Sequence, residues 1–329
     1  MTPLFLPQLV NDPFGDPAVY LQIRHEKTAV LFDLGDLSRL PTRKLMKIDY
    51  IFVSHCHMDH FIGFDRLLRC VLGRQKNLHI FGPPGILHHV QGKLAGYTWN
   101  LVENYPLSLT VSEIQADQQT LTSQTLLCRD GFRETALQIS SFSDHTILST
   151  TNFSVQAVIL DHKIPCAAYS FQEPFHLNFR REVLEKQGWA RGPWLTELRK
   201  ALRRGLPEDT GFTVSGKTYT LKELKDLLII ITPGQKIGYV TDIHAGSRNF
   251  NRVAAILDGC DILFCEAAFL DDDCQKAEQT CHLTASQAGR LAREARAKKL
   301  VLFHFSPKNH GRQSLYYQEA SRTFSGLIS

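Results

Sequence analysis

The sequence predicts an α/β fold in which sheets and helices pack in layers. Short apolar runs of strand length recur from one end of the chain to the other. Segments with apolar residues at helical spacing separate several of these runs. Hydrophobic residues make up 43% of the 329 positions, which is ample for a large core. Strands that alternate with helices on this scale imply a layered sheet-and-helix domain.

The first quarter of the chain predicts a hairpin, a strand and a helix. Val19–Ile23 and Ala29–Phe32 flank a polar turn at 25–28, which is typical of a β-hairpin. An apolar strand is expected at 48–53. Residues 61–72 then have helical spacing, with their apolar side chains on one face.

The second half returns to alternating strands and helices. A strand is expected at 155–160, and strands at 227–231 and 236–240 are predicted to pair across a turn at Pro233-Gly234. Thr284 is a suitable N-cap for a helix that follows it.

Charge and cysteine content limit the class of protein. The net charge of +4 is compatible with an anionic substrate without being diagnostic of one. None of the eight cysteines forms a C-x-x-C pair, and the N-terminus lacks the features of a signal peptide. No apolar run approaches the roughly 20 residues that cross a membrane. We therefore expect a cytoplasmic protein with no membrane partner.

The most informative stretch is the end of the strand at 48–53. His55, His57, Asp59 and His60 follow it within six positions. Imidazole and carboxylate ligands suit zinc or a similar first-row metal. His55 and His57 can converge on one ion, and Asp59 and His60 can reach a second. Two ions about 3.5–4 Å apart form a hydrolytic centre that activates water at neutral pH.

Three further candidate ligands lie at or just beyond the ends of apolar strands. They are His162, Asp242 and His304. Any one of these histidines taken alone would more often be a hydrogen-bonded core residue. Together with the local cluster they predict seven ligands, which is enough for two ions, with Asp242 placed as a bridging carboxylate.

The middle of the chain carries an unusual basic segment. Between 174 and 205 there are eight basic and three acidic residues, so its excess of +5 exceeds that of the whole chain. Pro193 is suited to the first position of a helix, which the spacing makes amphipathic. Its pattern alone is equally compatible with a solvated charged face and with a surface that binds phosphates. The candidate contact residues are Arg191, Gly192, Pro193, Arg199, Lys200, Arg203 and Arg204.

These motifs resemble a known family. The H-x-H-x-D-H string from His55 to His60 is similar to the signature of the metallo-β-lactamase superfamily. The order and spacing of the other segments resemble ribonuclease Z, the tRNA 3′-processing endonuclease. The segments that carry this second resemblance are 160–169, 238–242, 265–269, 282–284 and 302–306.

The resemblance implies a fold and a ligand assignment. The fold is an αββα four-layer sandwich with an inserted basic helical arm, and the cofactors are two Zn²⁺ ions, with manganese or iron as the other candidates. His55, His57 and His162 would hold one ion, while Asp59, His60 and His304 would hold the other. Asp242 would bridge them. Asp59 would also orient the attacking water.

The resemblance also implies an activity. Glu266 and His282 would form a catalytic dyad beside the scissile phosphate, since a carboxylate next to an imidazole favours the imidazolium that protonates a leaving group. Residues 1–329 would form one hydrolase domain, with 174–206 as the inserted arm that grips RNA. The expected function is an endoribonuclease that removes 3′ trailers from precursor tRNA, and a homodimer is the expected assembly.

Several positions depart from the family pattern and keep the substrate open. They are Thr241, Cys265 and Leu283, none of which is a predicted ligand. One alternative is a small-molecule hydrolase on the same site, of the cyclic-nucleotide phosphodiesterase or arylsulfatase type. Another is a catalytically silent metal- or RNA-binding protein, which the complete ligand set disfavours.

Overall fold

The computed structural model describes residues 3–24 and 26–329, so His25 of the predicted hairpin turn lies outside the described residues. The strands are β1 (Phe5–Leu9), β2 (Val19–Ile23), β3 (Ala29–Phe32), β4 (Ile48–Phe52), β5 (Asn77–Gly82), β6 (Ser108–Gln115), β7 (Thr120–Leu127), β8 (Gln138–Ser141), β9 (Thr146–Ser149), β10 (Ser154–Asp161), β11 (Pro165–Gln172), β12 (Phe175–Phe179), β13 (Gly211–Val214), β14 (Lys217–Thr220), β15 (Ile229–Pro233), β16 (Lys236–Val240), β17 (Ile262–Glu266), β18 (Lys299–Phe303) and β19 (Leu327–Ile328).

The helices of the described residues are mostly short. They are α1 (Thr42–Leu45), α2 (Met58–Phe61), α3 (Phe64–Val71), α4 (Ile86–Ala95), α5 (Arg181–Lys186), α6 (Pro193–Arg204), α7 (Leu221–Leu228), α8 (Ser247–Leu257), α9 (Cys274–Thr280), α10 (Ala285–Glu294) and α11 (Gln313–Ser321). None of them is long and apolar enough to cross a membrane.

Two large sheets form the main body. The first has eight strands in the order β1 to β8, and β3 to β6 pair in parallel at its centre. The second has seven strands in the order β19-β18-β17-β16-β11-β10-β9, with β16 to β19 parallel. The predicted hairpin is confirmed, because β2 and β3 pair antiparallel.

Aromatic side chains fill the space between the two sheets. Phe32 of β3 stacks on Tyr239 of β16, with ring centroids 5.4 Å apart, and lies 6.1 Å from the ring of Tyr169 on β11. Leu31 points the other way, into a cluster with α3 and α4, as strand alternation requires. Helices α8, α10 and α11 cover the outer face of the second sheet in the same manner. The layers are therefore helix, sheet, sheet and helix, which confirms the predicted αββα sandwich.

The helix predicted at 61–72 is observed as α3, and the separate short helix α2 ends at Phe61. Gly63 lies between the two helices, at a position that requires glycine because a Cβ there would lie 2.2 Å from the carbonyl oxygen of Gly35. The Gly63 amide also donates to the Leu34 carbonyl, at 2.7 Å. This close approach ties α2 and α3 to the end of β3, beside the histidine-rich loop. The helix capped by Thr284 is confirmed, since α10 begins with a complete capping box.

A second compact unit comprises Gln172–Gln235, with residues 3–4 and 149–154. It contains α5 to α7, the β12–β15 pair and the β13–β14 hairpin. It has its own apolar core around Leu198, Leu224 and Trp189. The basic segment at 174–206 is part of this unit, which continues beyond it to Gln235.

The pairing predicted between 227–231 and 236–240 is wrong. β15 pairs with β12, and β16 belongs to the seven-stranded sheet. Pro233-Gly234 does not close a hairpin because Gly234 passes against the Glu173 backbone, where a Cβ would lie 1.8 Å from the Glu173 carbonyl oxygen.

Candidate metal centre

All seven predicted ligands come together at one edge of the sandwich. His55 to His60 follow β4, and the other ligands follow strands of the second sheet: His162 after β10, Asp242 after β16 and His304 after β18. Each of these strands therefore ends at the same edge of the sandwich. This is why residues that are far apart in the sequence form a compact cluster.

Three overlapping groups of side chains among the described residues could hold an ion, and within each the candidate ligand atoms lie within 4.8 Å of one another. The first contains His55, His57, His162 and Asp242, and the second contains Asp59, His60 and His304. These two correspond to the two ions expected from the sequence. The third joins Asp242 and His304 to the predicted dyad, Glu266 and His282.

Asp242 lies between the two groups. Its Oδ2 is 3.5 Å from His55 Nε2, 3.3 Å from His60 Nε2 and 3.7 Å from His162 Nε2. Its Oδ1 is 3.0 Å from His304 Nδ1. One buried carboxylate thus faces imidazoles of both groups, as a bridging ligand would.

Several nitrogens at the centre fit a metal better than they fit the protein. Among the described residues, Nε2 of His55, Nε2 of His60 and Nδ1 of His304 are buried and make no well-aligned hydrogen bond, although each has an Asp242 oxygen within 3.0 to 3.5 Å. Buried polar atoms without partners are costly and rare. Neutral imidazole nitrogens and carboxylate oxygens are ligands that zinc and related ions accept. The residues present therefore fit a divalent metal.

The outer nitrogens of two ligands are fixed by the surrounding protein. His162 Nδ1 donates to the Cys281 carbonyl, at 2.8 Å, so its Nε2 is directed to the centre. His60 Nδ1 lies 2.8 Å from Asp33 Oδ2. Hydrogen bonds of this kind hold the ring orientation and raise the basicity of a metal ligand.

Asp33 is a supporting residue that the sequence analysis did not assign. It is fully buried at the end of β3 and accepts hydrogen bonds from the Ser54 amide at 2.6 Å and the Tyr239 hydroxyl at 2.6 Å. It thereby joins the histidine-rich loop to the second sheet. A signal was present, because Asp33 ends an apolar strand as the ligands do.

Three of these residues have left-handed backbone. The φ angles are +56° at Asp33, +51° at Asp242 and +62° at His304. Residues other than glycine seldom adopt this region, and such outliers cluster at functional sites.

The two groups differ in their affinity for protons. Burial and the neighbouring His60 lower the pKa of His55 to about 2, and burial also lowers the pKa of His57. Burial opposes protonation of His60 as well, but the Asp242 and Asp33 carboxylates raise its pKa to about 10. Asp242 and Asp59 similarly overcome burial and raise the pKa of His304 well above its usual value. Without metal, protons therefore occupy the second group.

Glu266 and His282, the residues predicted as a catalytic dyad, lie within hydrogen-bond distance. His282 Nδ1 is 2.8 Å from Glu266 Oε2, and the other Glu266 oxygen accepts from the Ile243 amide. Burial would lower the pKa of His282, but Glu266 raises it. His282 Nδ1 is also 3.9 Å from Asp242 Oδ1, so the ring lies beside the cluster of predicted ligands.

The residues at the three departures from the family pattern are buried at the edge of the site. The Thr241 hydroxyl donates to Asp242 Oδ1 at 2.7 Å, while Cys265 and Leu283 are apolar contacts in the core. Of the three, only Thr241 touches a predicted ligand.

The predicted RNA-contact residues lie on and before α6, and one differs from expectation. Arg191 and Arg204 are exposed, whereas the Arg203 side chain is 6% exposed and pairs with the fully buried Glu173. Arg203 also donates to Asn152. Helical periodicity placed Arg203 beside its charged neighbours, but its long side chain reaches an internal partner. It is therefore not available to a phosphate.

The other two basic residues of α6 make contacts within the same unit. Arg199 packs over the Phe179 ring, and Lys200 pairs with Glu197.

Comparison with known proteins decides the family. The family described as "Beta-lactamase superfamily domain" matches residues 30–155 and 222–305. The chain belongs to the beta-lactamase superfamily. This confirms the predicted resemblance, and the predicted class of metal-dependent hydrolase agrees with it. The family match omits 156–221, which includes the whole of the basic segment.

Relatives of this beta-lactamase superfamily member are ribonucleases Z. The chain is 28% identical over 303 residues to "Ribonuclease Z" of Deinococcus radiodurans, covering 91% of this chain and 89% of the relative. It is 29% identical to "Ribonuclease Z" of Nanoarchaeum equitans, covering 88% and 78%. The predicted resemblance to ribonuclease Z is thus also confirmed.

Solved structures share the fold. The metallo-beta-lactamase fold protein YhfI from Bacillus subtilis has a TM-score of 0.56 at 17% identity, covering 98% of this chain and 94% of that one. Human tRNase Z, short form, has a TM-score of 0.54 at 20% identity, covering 99% and 95%. Both similarities extend over nearly the whole chain, so the fold class predicted from the sequence is confirmed.

Proposed function

We propose that this protein is a binuclear-zinc endoribonuclease that removes 3′ trailers from precursor tRNA. The observation that carries the proposal is the position of Asp242 between two ligand groups, with the Glu266–His282 dyad beside it. Relatives named "Ribonuclease Z" that cover about nine-tenths of the chain support the choice of substrate.

The two ions would supply positive charge for the phosphate and a water molecule activated at neutral pH. His55, His57 and His162 would hold one ion and Asp59, His60 and His304 the other, with Asp242 shared. Manganese or iron would fit the same ligands.

The protein's own groups would position the reactants and move protons. Asp59 is partly exposed at the mouth of the centre, where its carboxylate can accept a proton from water and orient it. His282 would donate its proton to the departing ribose oxygen, because Glu266 keeps the ring charged.

The basic segment would bind the RNA. Arg191 and Arg204 are exposed, and Gly192-Pro193 begins the same helix. Contacts between cations and phosphates supply most of the sequence-independent affinity for nucleic acids. Arg199 and Lys200 extend this surface along α6, while Arg203 serves the interior of the unit.

The assembly and location are part of the proposal. We infer a homodimer, which the exposed apolar side chains of Tyr97 and Leu101 would favour. We infer a cytoplasmic location, since all eight cysteines are unpaired, as in reducing compartments.

The test is cleavage of a 3′-extended precursor tRNA by the zinc-loaded protein, with a small chromogenic phosphodiester assayed in parallel. We expect one cut beside the discriminator base. An Arg191→Ala/Arg204→Ala variant should weaken tRNA binding and reduce the slope of log Kd against log salt by about two, while it leaves the small substrate unchanged. An Asp209→Ala variant on the same unit is the matched surface control.

A small-molecule phosphodiesterase or arylsulfatase is the second candidate. It is favoured by the acidic residues Asp16 and Asp36, which lie together near Asp59 and would repel a polyanion. Turnover of the small phosphodiester without cleavage of precursor tRNA would select this function. Metal binding without any hydrolysis would select the silent binding protein.

A further inference from the structure

Phe14 and His310 form a stacked pair of rings near the metal edge, which is the edge of the sandwich that carries the seven predicted ligands. Their centroids are 4.3 Å apart and their planes differ by 21°. Phe14 is half-buried and His310 is exposed, so the imidazole is the outer ring of the pair. Phe14 covers one face of His310, and the opposite face is open to solvent.

The inner ring is tied to a metal-ligand strand. Phe14 packs edge-on against Phe305 and Tyr316, with centroids 5.3 Å and 6.4 Å away. The Phe305 amide donates to the Pro13 carbonyl at 2.8 Å. Because Phe305 directly follows the ligand His304, the pair of rings is fixed to the side of the centre that carries the Asp59 group.

The outer ring is held by a rigid turn. The His310 amide donates to the Pro307 carbonyl at 3.1 Å, and Gly311 allows the turn with a φ of +82°. Asn309 is buried and donates to the Tyr316 hydroxyl at 2.9 Å. A ring held in this way loses little conformational entropy when a ligand stacks on it.

The loop that carries Phe14 places a carboxylate, Asp16, beside the Asp36 turn, and this disfavours a phosphate there. The Asp16 carboxylate accepts from the Asp36 amide at 3.2 Å, whereas Asp12 of the same loop is paired with Arg39 at 2.9 Å. Gly35 packs between Asp16 and the Asp59 backbone, since a Cβ there would lie 2.6 Å from Asp16 Cβ and 2.8 Å from the Asp59 carbonyl oxygen. These carboxylates border the Asp59 side of the centre. A neutral planar group stacked on His310 avoids the repulsion that a phosphate would meet.

We propose that His310, supported by Phe14, is a stacking subsite for the nucleobase next to the phosphate that enters the metal centre. The inference rests on the proposed function only in taking the ligand to be a nucleotide. Stacking on an aromatic ring tolerates every base, because each base has a π face. The subsite would therefore position a nucleotide without reading its sequence.

The experiment is calorimetric binding of two ligands to the zinc-loaded protein. Thymidine 5′-monophosphate carries a base, and deoxyribose 5-phosphate is its base-free control. We expect the nucleotide to bind more tightly. His310→Ala should weaken nucleotide binding about tenfold and leave the sugar phosphate unchanged. His310→Phe should restore nucleotide binding, since it keeps an aromatic ring at this position.

His310→Gln is a second non-aromatic variant and should match His310→Ala; zinc content and melting temperature serve as folding checks. Equal loss for both ligands, or failure of His310→Phe to restore binding, would overturn the subsite. Equal binding of the two ligands by the unmodified protein would overturn it as well. The measurement needs no turnover, so absence of tRNA cleavage would remove the proposed function and leave this result standing.

Discussion

The metal edge and the Gln172–Gln235 unit both bury charged side chains, but they balance the charges differently. In the Gln172–Gln235 unit, the Glu173 carboxylate pairs with the Arg203 guanidinium and with His176 Nδ1 at 2.9 Å. At the metal edge, the ion-pair partners found for Asp59 and Asp242 within the described residues are all imidazoles.

The difference separates a structural cluster from a binding site. A guanidinium is permanently charged and has several donors, so its pair with a carboxylate needs no further cation. An imidazole can give up its proton to a metal ion. A buried carboxylate surrounded by imidazoles is therefore a site that exchanges cations, whereas a carboxylate held by arginine supports the fold.

The largest effect should follow from removing the shared carboxylate. We expect Asp242→Ala to lower kcat/KM about a thousandfold or more, because loss of metal removes several kcal/mol of transition-state stabilisation. Zinc content measured by mass spectrometry should fall with it. Asp258→Ala, which breaks a surface pair with Arg296, is the matched control. Full activity with both metals retained would remove Asp242 from the site.

Breaking the structural cluster should cost stability and spare the metal. Arg203→Met leaves the buried Glu173 charge without its main partner, which we expect to cost about 3 kcal/mol in the free energy of unfolding. Urea denaturation measures this, and zinc content should not change. Arg204→Met, on the exposed neighbour, should have little effect. A comparable loss of unfolding free energy in both variants would mean that the buried pair with Glu173 stabilises the fold no more than an exposed arginine does.

A smaller effect should arise one contact away from the metal. Asp33→Asn should reduce zinc affinity or kcat/KM about 10- to 100-fold, because it disturbs the hydrogen bond that orients His60. Tyr239→Phe removes only one hydrogen-bond donor to Asp33, so its zinc affinity should be closer to that of the unmodified protein. Zinc titration with a competing chelator distinguishes them; an unchanged affinity in Asp33→Asn would reduce Asp33 to a packing residue.

The smallest effect is a coupling between metal and protons. The pKa of His60 is raised to about 10, so without metal this ring is protonated at pH 8 and must lose a proton to bind metal; the pKa of His304 is raised in the same direction. We expect zinc binding to release about one proton or more at pH 8 and to weaken as the pH falls. Calorimetry in buffers of different ionisation enthalpy measures the number. The Asp59→Asn variant should release fewer protons than the unmodified protein. If the unmodified protein released none, the assignment of His60 and His304 as metal ligands would be contradicted.

The residues that come together at the centre could be selected from the sequence because each has a local signal. The four residues after β4 are close together in the chain, and His162, Asp242 and His304 each follow an apolar strand. Asp33 also follows an apolar strand, but no role was assigned to it from the sequence. Its hydrogen bond with Tyr239 joins positions that are 206 residues apart, so it has no local signal.

The errors lie where a distant partner overrides a local pattern. Helical spacing places Arg203 on the charged face of α6. Its guanidinium nevertheless donates to the buried carboxylate of Glu173, thirty positions earlier. Pro233-Gly234 has the composition of a hairpin turn, but the chain at this point leaves one unit for the other. Neither partner could be identified from spacing alone, since both contacts depend on how the Gln172–Gln235 unit closes on itself.

The left-handed backbone at Asp33, Asp242 and His304 sets a limit on how this protein can be improved. Each of these conformations costs roughly 1 kcal/mol or more with a side chain present, and glycine would avoid the cost. A laboratory selection for heat resistance alone would therefore favour glycine at Asp242 and His304, on which the proposed hydrolysis depends, whereas at Asp33 the loss of the buried hydrogen bonds to Ser54 and Tyr239 would oppose it. Thermostable variants of this protein should be sought with a selection that also requires turnover. Selection for stability alone would give variants that are more stable but inactive.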